Sequence, residues 1–128
     1  MKYFIGLDLG TQSSKGMLFD PAGNKVSEAV TQYLPDFPYP GWAEQDVSIW
    51  VKAIREIIGK LTSENSLKPD DIGMVAFASQ CGGVVPIDKN GTPLRKCILW
   101  LDKRAEDQCD KGREKISDDE SYNLIGCP

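Results

Sequence analysis

Histidine is missing from all 128 residues, and no other absence restricts the chemistry as much. Ser-His-Asp and Cys-His nucleophile systems and His-containing zinc sites are excluded within this chain, so proton transfer falls to carboxylates, Lys, Tyr or Cys. The cysteines, Cys81, Cys97, Cys109 and Cys127, are widely spaced and form no C-x-x-C pair. That spacing excludes a zinc ribbon and a thioredoxin-type motif, and they read as free thiols of a reducing compartment. Basic excess is also lacking: 15 Lys and Arg stand against 19 Asp and Glu, a net charge of −4. A nucleic-acid or anionic-membrane binder needs a basic face, so neither class fits. The N-terminal apolar stretch Tyr3 to Leu9 is broken by Asp8, and no run approaches the ~20 apolar residues of a membrane span. A cytoplasmic protein is the expectation. Neither G-x-x-x-x-G-K-[ST] nor G-x-G-x-x-G is present, which argues against Walker-type and Rossmann nucleotide sites.

What is present fits one α/β domain with a core of its own. Lys2 to Asp8 reads as a buried strand stopped by a turn, and Lys15 to Asp20 and Lys25 to Tyr33 as two more, joined by short turns into an antiparallel meander. Pro35 to Gly41, rich in proline, predicts an extended connection. Asp46 is a plausible N-cap for a helix whose apolar face is Val47, Trp50, Val51, Ile54, Ile57, Ile58 and Leu61. After the Lys68-Pro69-Asp70-Asp71 turn, Ile72 to Ala78 is nearly all apolar and predicts a strand buried on both faces. Val84 to Ile87 and Leu94 to Leu99 flank an Asn-Gly turn and predict a hairpin. Asp102 to Ile116 predicts an exposed helix, and Ser117 to Glu120 has the spacing of a capping box that opens a last, barely started one.

The segment Gly6-Leu7-Asp8-Leu9-Gly10-Thr11-Gln12-Ser13-Ser14-Lys15 concentrates glycine, hydroxyls, a carboxylate and a cation in a strand-turn-strand. Those are the parts of a phosphate site: glycine admits close backbone approach, hydroxyls donate and Lys15 supplies charge. Asp8 would hold Mg²⁺, largely through water. On composition alone a polar hairpin turn without a ligand accounts for the segment equally well. Trp100, at the end of an apolar strand, reads by itself as core, and Asp102 as a helix cap. Trp42 and Trp50 read as packing residues. Cys81 lacks the cationic neighbour that would make it a nucleophile.

Asp8 to Gly16 resembles the first phosphate motif of the FGGY carbohydrate kinases, the family that includes glycerol kinase and xylulokinase. Pro40-Gly41-Trp42-Ala43-Glu44-Gln45-Asp46 with Trp50, Ser79-Gln80 before a small-residue loop, and Ile98 to Arg104 are similar to further family segments in the same order. The resemblance runs from Lys2 to Leu124-Ile125-Gly126. It implies the ribonuclease H-like fold of actin, Hsp70 and hexokinase, a mixed sheet that starts as a three-stranded meander followed by helix and strand. It also implies ATP- and Mg²⁺-dependent phosphorylation of a sugar or polyol hydroxyl.

Under that resemblance Asp8 is the Mg²⁺-side aspartate, and Gly10, Thr11, Gln12, Ser13 and Lys15 approach the nucleotide phosphates. Gln80, Cys81, Gly82, Trp100 and Asp102 fall on the substrate side. Gln12 stands where glycerol kinase has threonine and Lys15 where it has arginine, which keeps the charge without the bidentate fork. Cys81-Gly82 replaces the Arg-Glu of glycerol kinases and the Met-His of xylulokinases, so the sugar is open. The family's base is an Asp well downstream. The expectation is therefore an N-terminal part, 1–128, of a kinase's first domain, with the second domain absent, inactive alone and prone to self-association. A non-catalytic nucleotide- or sugar-binding module is the alternative. An actin- or Hsp70-like ATPase would share the fold without explaining the Trp42 and Trp100 segments.

Overall fold

The computed structural model describes residues 2–126; Cys127, the last of the cysteines, lies outside them. β1 (Tyr3–Leu9), β2 (Ser13–Phe19) and β3 (Lys25–Gln32) form the expected antiparallel meander. The β2–β3 turn is closed by Asp20, whose carboxylate accepts from the N–H groups of Ala22 and Asn24, while Gly23 takes the left-handed φ of 86°. Two-residue β4 (Glu44–Gln45) leads into α1 (Val47–Glu64), capped by Asp46, which accepts from the Ser48 N–H. A 3-10 turn at Pro69–Asp71 then starts β5 (Ile72–Ser79), which runs parallel to β1 and completes a sheet of order β3-β2-β1-β5.

Strand alternation assigns the two faces of this sheet. Ile5, Leu7, Leu18 and Ala29 point to one side and pack on Ile57 and Leu61 of α1 to make the main core. Gly16 lets the helix settle there, since a Cβ at this position would lie 2.3 Å from a methyl of Ile57 and 2.9 Å from Leu7. Ala53 joins the buried helix face, whereas Val51, counted on that face by spacing, is half exposed. A second small core, Ala43, Cys97 and Leu99 with Val47, Trp50 and Leu101 against it, lies beside the helix N-terminus.

Three expectations are corrected. β5 is exposed from Gly73 to Ser79 instead of buried on both faces. Among the described residues it lies at the sheet edge and pairs with β1 alone, and α1 lies over β1, β2 and β3. The Val84–Leu99 hairpin shrinks to isolated bridges, Val84 with Ile98 and Ile87 with Pro93. Pro86 and Pro93 each remove a ladder donor, and the arm's regular part, β6 (Cys97–Ile98), pairs with β4. The turn closes around Asp88, which accepts from Asn90 and Thr92 N–H groups. The helix expected from Asp102 begins later, as α2 (Glu106–Arg113); Asp102 instead closes a local turn, its Oδ1 accepting from the Arg104 N–H at 2.9 Å. α3 (Asp118–Ile125) opens on the expected Ser117–Glu120 capping box but runs eight residues, to a left-handed Gly126.

The packing at Gly16 gives a paired test by urea unfolding. Gly16→Ala should destabilise by about 1–3 kcal/mol, the usual cost of overpacking a filled core. Gly59→Ala, at an exposed position of α1 with open space around it, should instead stabilise by about 0.5–1 kcal/mol. Equal midpoints for the two variants would refute this account of the helix seat.

Candidate functional site

The β1–β2 turn is built from Gly10 to Ser13. The Gly10 N–H donates to the Ser13 carbonyl at 2.9 Å, and a Cβ on Gly10 would meet that same oxygen at 2.9 Å. The other carbonyls of the turn accept from outside it. Tyr33 Oη donates to Gly10 C=O at 2.8 Å, Gln45 Nε2 to Thr11 C=O at 3.1 Å, and the Tyr33 N–H to Gln12 C=O at 3.0 Å. Burial, opposed by a hydrogen bond with Ser14 and aided by the charge of Asp8, pushes the Tyr33 hydroxyl pKa above its ordinary value. It therefore stays a donor. Gln45 is fully buried, and its Oε1 accepts from Trp50 Nε1 at 2.7 Å.

Asp8 and Lys15 are opposite one another in the β1–β2 register and lie on the sheet face away from α1. They line an open cleft of about 450 Å³ with Gly6, Met17, Ala76 and Ala78. The small residues leave room beside the carboxylate. Gln12 and Ser13 line a different cleft with Gln32 and Tyr33, so the turn separates two open spaces.

Residues distant in sequence converge on the other flank of the turn. The Gln80 N–H donates to Leu9 C=O at 2.8 Å, which anchors the loop after β5 to the end of β1. Thr11 Oγ1 donates to Gln80 Oε1 at 2.9 Å and accepts from Trp100 Nε1 at 3.0 Å. Gly82 has φ 78°, and a Cβ there would lie 3.2 Å from Cβ of Trp100. Trp100 is 60% exposed, so the site gains a free aromatic surface where the sequence by itself suggests core. Cys81 is an exposed free thiol in the same loop. Gln80 Nε2 is buried with no hydrogen-bond partner among the described residues. The hydroxyl of Thr11 thus faces the Gln80 and Trp100 side.

Asp102 stands apart from this convergence. Its Oδ2 accepts from the Ala43 N–H and from Arg104 Nη2, and its Oδ1 from Arg104 Nε, leaving the side chain 2% exposed. Arg104 also reaches Glu44 at 2.9 Å and lies 3.6 Å above the Trp42 ring centre. The Arg104 guanidinium holds Asp102 far below the usual carboxylate range and lowers Glu44 as well. This cluster clamps the Gly41–Gln45 segment to the Ile98–Arg104 arm, with the Trp42 ring as its floor.

A family model described as the FGGY family of carbohydrate kinases, N-terminal domain, matches residues 3–128. The chain belongs to the FGGY family of carbohydrate kinases. Glycerol kinase 2 of Thermotoga maritima is 38% identical over 117 residues, 90% of this chain and 23% of that protein. A xylulose kinase of Lactococcus lactis is 33% identical over 116 residues, 91% of this chain and 23% of that protein. The solved structure of a ligand-bound xylulose kinase from Lactobacillus acidophilus superposes with a TM-score of 0.86 at 27% identity, over 96% of this chain and 24% of that one. The chain thus spans about a quarter of the length of these FGGY relatives, and its fold is the ribonuclease H-like fold, of which it holds the N-terminal portion. No described helix is long and apolar enough to cross a membrane.

Sequence reading missed Gln45, Tyr33 and the Arg104 clamp as parts of the site's frame. A buried glutamine between a strand and a helix cap is visible in the motif Glu44-Gln45-Asp46, but nothing local names its partner, Thr11.

The clamp predicts a pH signature. Because the folded-state pKa of Asp102 is depressed, its contribution is present above the unfolded carboxylate value and is lost as pH falls toward the folded one. Arg104→Ala should be less stable than wild type at neutral pH, and the gap should shrink below about pH 4. Urea midpoints at both pH values test this; a gap that stays constant would remove the carboxylate as its source.

Proposed function

We propose that the protein carrying this chain transfers the γ-phosphoryl group of MgATP to a hydroxyl of a sugar or polyol, and that these residues form its phosphate turn and one wall of its sugar site. The observation that carries the reading is the meeting, at the end of β1, of the Asp8–Lys15 turn with Gln80–Gly82 and Trp100. A binding turn for anions thus adjoins an exposed aromatic and an orphaned amide donor, a pairing suited to a phosphate donor and a polyhydroxyl acceptor. The chemistry of the donors fits the implied cofactor. Among the described residues no three metal-ligating groups cluster, and Mg²⁺ in phosphoryl-transfer sites is ordinarily held by one or two carboxylates, water and phosphate oxygens. In this reading that role falls to Asp8.

When bound, MgATP supplies the phosphoryl group and the metal's charge. The chain's own residues then divide the work. Gly10 to Ser13 and Lys15 would orient and neutralise phosphate oxygens, Asp8 would help hold the metal ion, and Trp100 would offer a face for the sugar's C–H groups. Gln80 Nε2, buried and unpartnered among the described residues, is the amide this reading assigns to a sugar oxygen. Asp102 supports the substrate wall by fixing Arg104. The proton of the attacked hydroxyl goes to a base outside these residues, so residues 1–128 act as part of a first domain and give no sugar-dependent turnover alone. The reducing cytoplasm suits the thiols.

A thiol and a glycine at 81 and 82 offer little hydrogen bonding and leave space, which favours an acceptor larger than glycerol. The test uses the protein as encoded by its gene, assayed for ADP release with a panel of sugars and polyols. A pentulose or larger polyol should exceed glycerol in kcat/KM, and Asp8→Asn should lower kcat by about 10²-fold or more. Glycerol ranking first would overturn the acceptor assignment, and wild-type turnover in Asp8→Asn would overturn the role of the turn.

A further inference from the structure

Each carbonyl from Gly10 to Gln12 is held by a donor from the body of the protein, and this fixes more than the carbonyls. In a planar trans peptide the N–H of the next residue points opposite to the C=O. No cis peptide occurs among the described residues. Holding the Gly10 carbonyl against Tyr33 Oη therefore aims the Thr11 N–H outward, and holding the Thr11 carbonyl against Gln45 Nε2 aims the Gln12 N–H outward. Among the described residues neither of these N–H groups meets an acceptor. Successive outward N–H groups are a concave anion site, and a peptide flipped the other way would present a carbonyl oxygen to the phosphate instead.

We infer that Tyr33 and Gln45 are positioning residues for phosphate binding, which they serve by locking the peptide planes of the turn without touching the ligand. The inference rests on the phosphate reading of the turn given above. The orientation of each holder is itself determined. The indole N–H of Trp50 is donor only, so the Gln45 oxygen must face it and the Gln45 amide nitrogen must face Thr11. Tyr33 has one proton, given to the Gly10 carbonyl, so the hydroxyl of Ser14 donates to Tyr33. Gln45 has no accessible surface, and its effect on an anion can pass only through the turn it holds.

The experiment follows the amide signals of Thr11 and Gln12 by NMR while the protein as encoded by its gene, the same one assayed for kinase activity, is titrated with inorganic pyrophosphate and Mg²⁺. Wild type should show saturable shifts at these two amides. Tyr33→Phe, which removes only a hydroxyl, and Gln45→Met, which removes the amide donor at similar length, should each weaken pyrophosphate binding about three- to tenfold. If Gln45→Met does not fold, Tyr33→Phe alone decides. Folded Tyr33→Phe with a lowered melting temperature but unchanged affinity would overturn the inference, because a purely structural role gives that result. Shifts confined to other amides, in a protein that phosphorylates sugars, would also overturn it and leave the kinase reading intact. No pyrophosphate response together with no kinase activity would overturn both.

Discussion

The seat of α1 on Gly16 is the constraint from which the rest of the site is built. Helix and sheet meet where a side chain would collide with Ile57, so the approach is set by the missing Cβ. The approach in turn sets the height of the helix N-terminus over the sheet, and with it the reach of Trp50 and Gln45. From there Gln45 spans to the Thr11 carbonyl at 3.1 Å, a distance that a shift of about an ångström would carry beyond hydrogen-bonding range. Packing in the hydrophobic core and the orientation of one peptide plane are thus a single problem.

Two kinds of polar structure surround the turn, and they differ in purpose. The Asp102–Arg104–Glu44 cluster, with Arg95 also on Glu44, satisfies its charges through its own ion pairs, with the Ala43 N–H and the Trp42 face as further partners. Such a group is costly to break, because removal of one member strands the others away from water. The Thr11–Gln80–Trp100 group is left incomplete, with an amide nitrogen unpaired and an indole face open. The first group is closed to further partners, whereas the second keeps a donor and an aromatic face to offer.

The legibility of these features in the sequence followed the range of the interaction. α1 was readable from Asp46 and the spacing of Ile54, Ile57, Ile58 and Leu61, and the meander from its turn residues, because capping and periodicity act within a few positions. The turn with Asp8 and Lys15 was readable from its composition and from its resemblance to a known motif. Gln45 and Tyr33 were not, since their partners lie across the fold. The exposure of β5 was likewise hidden: an apolar strand states that it prefers cover, not that cover is present. Trp100 followed the same logic in reverse, its indole N–H drawn to Thr11 while its ring stays in water.

The central strand has one further consequence, for the order in which the fold assembles. β1 gains β2 through the tight Gly10–Ser13 turn, but its other edge is closed only when Tyr3 finds Ile72, beyond the whole of α1. The first pairing is local and fast, whereas the parallel one must wait for a long loop to close. Gln80 marks the end of that closure: its N–H takes the Leu9 carbonyl and its side chain meets Thr11. The same residue that completes the sheet also ties the Gly10–Ser13 turn to the loop after β5, so the geometry at the end of β1 depends on the longest-range strand pairing of the sheet.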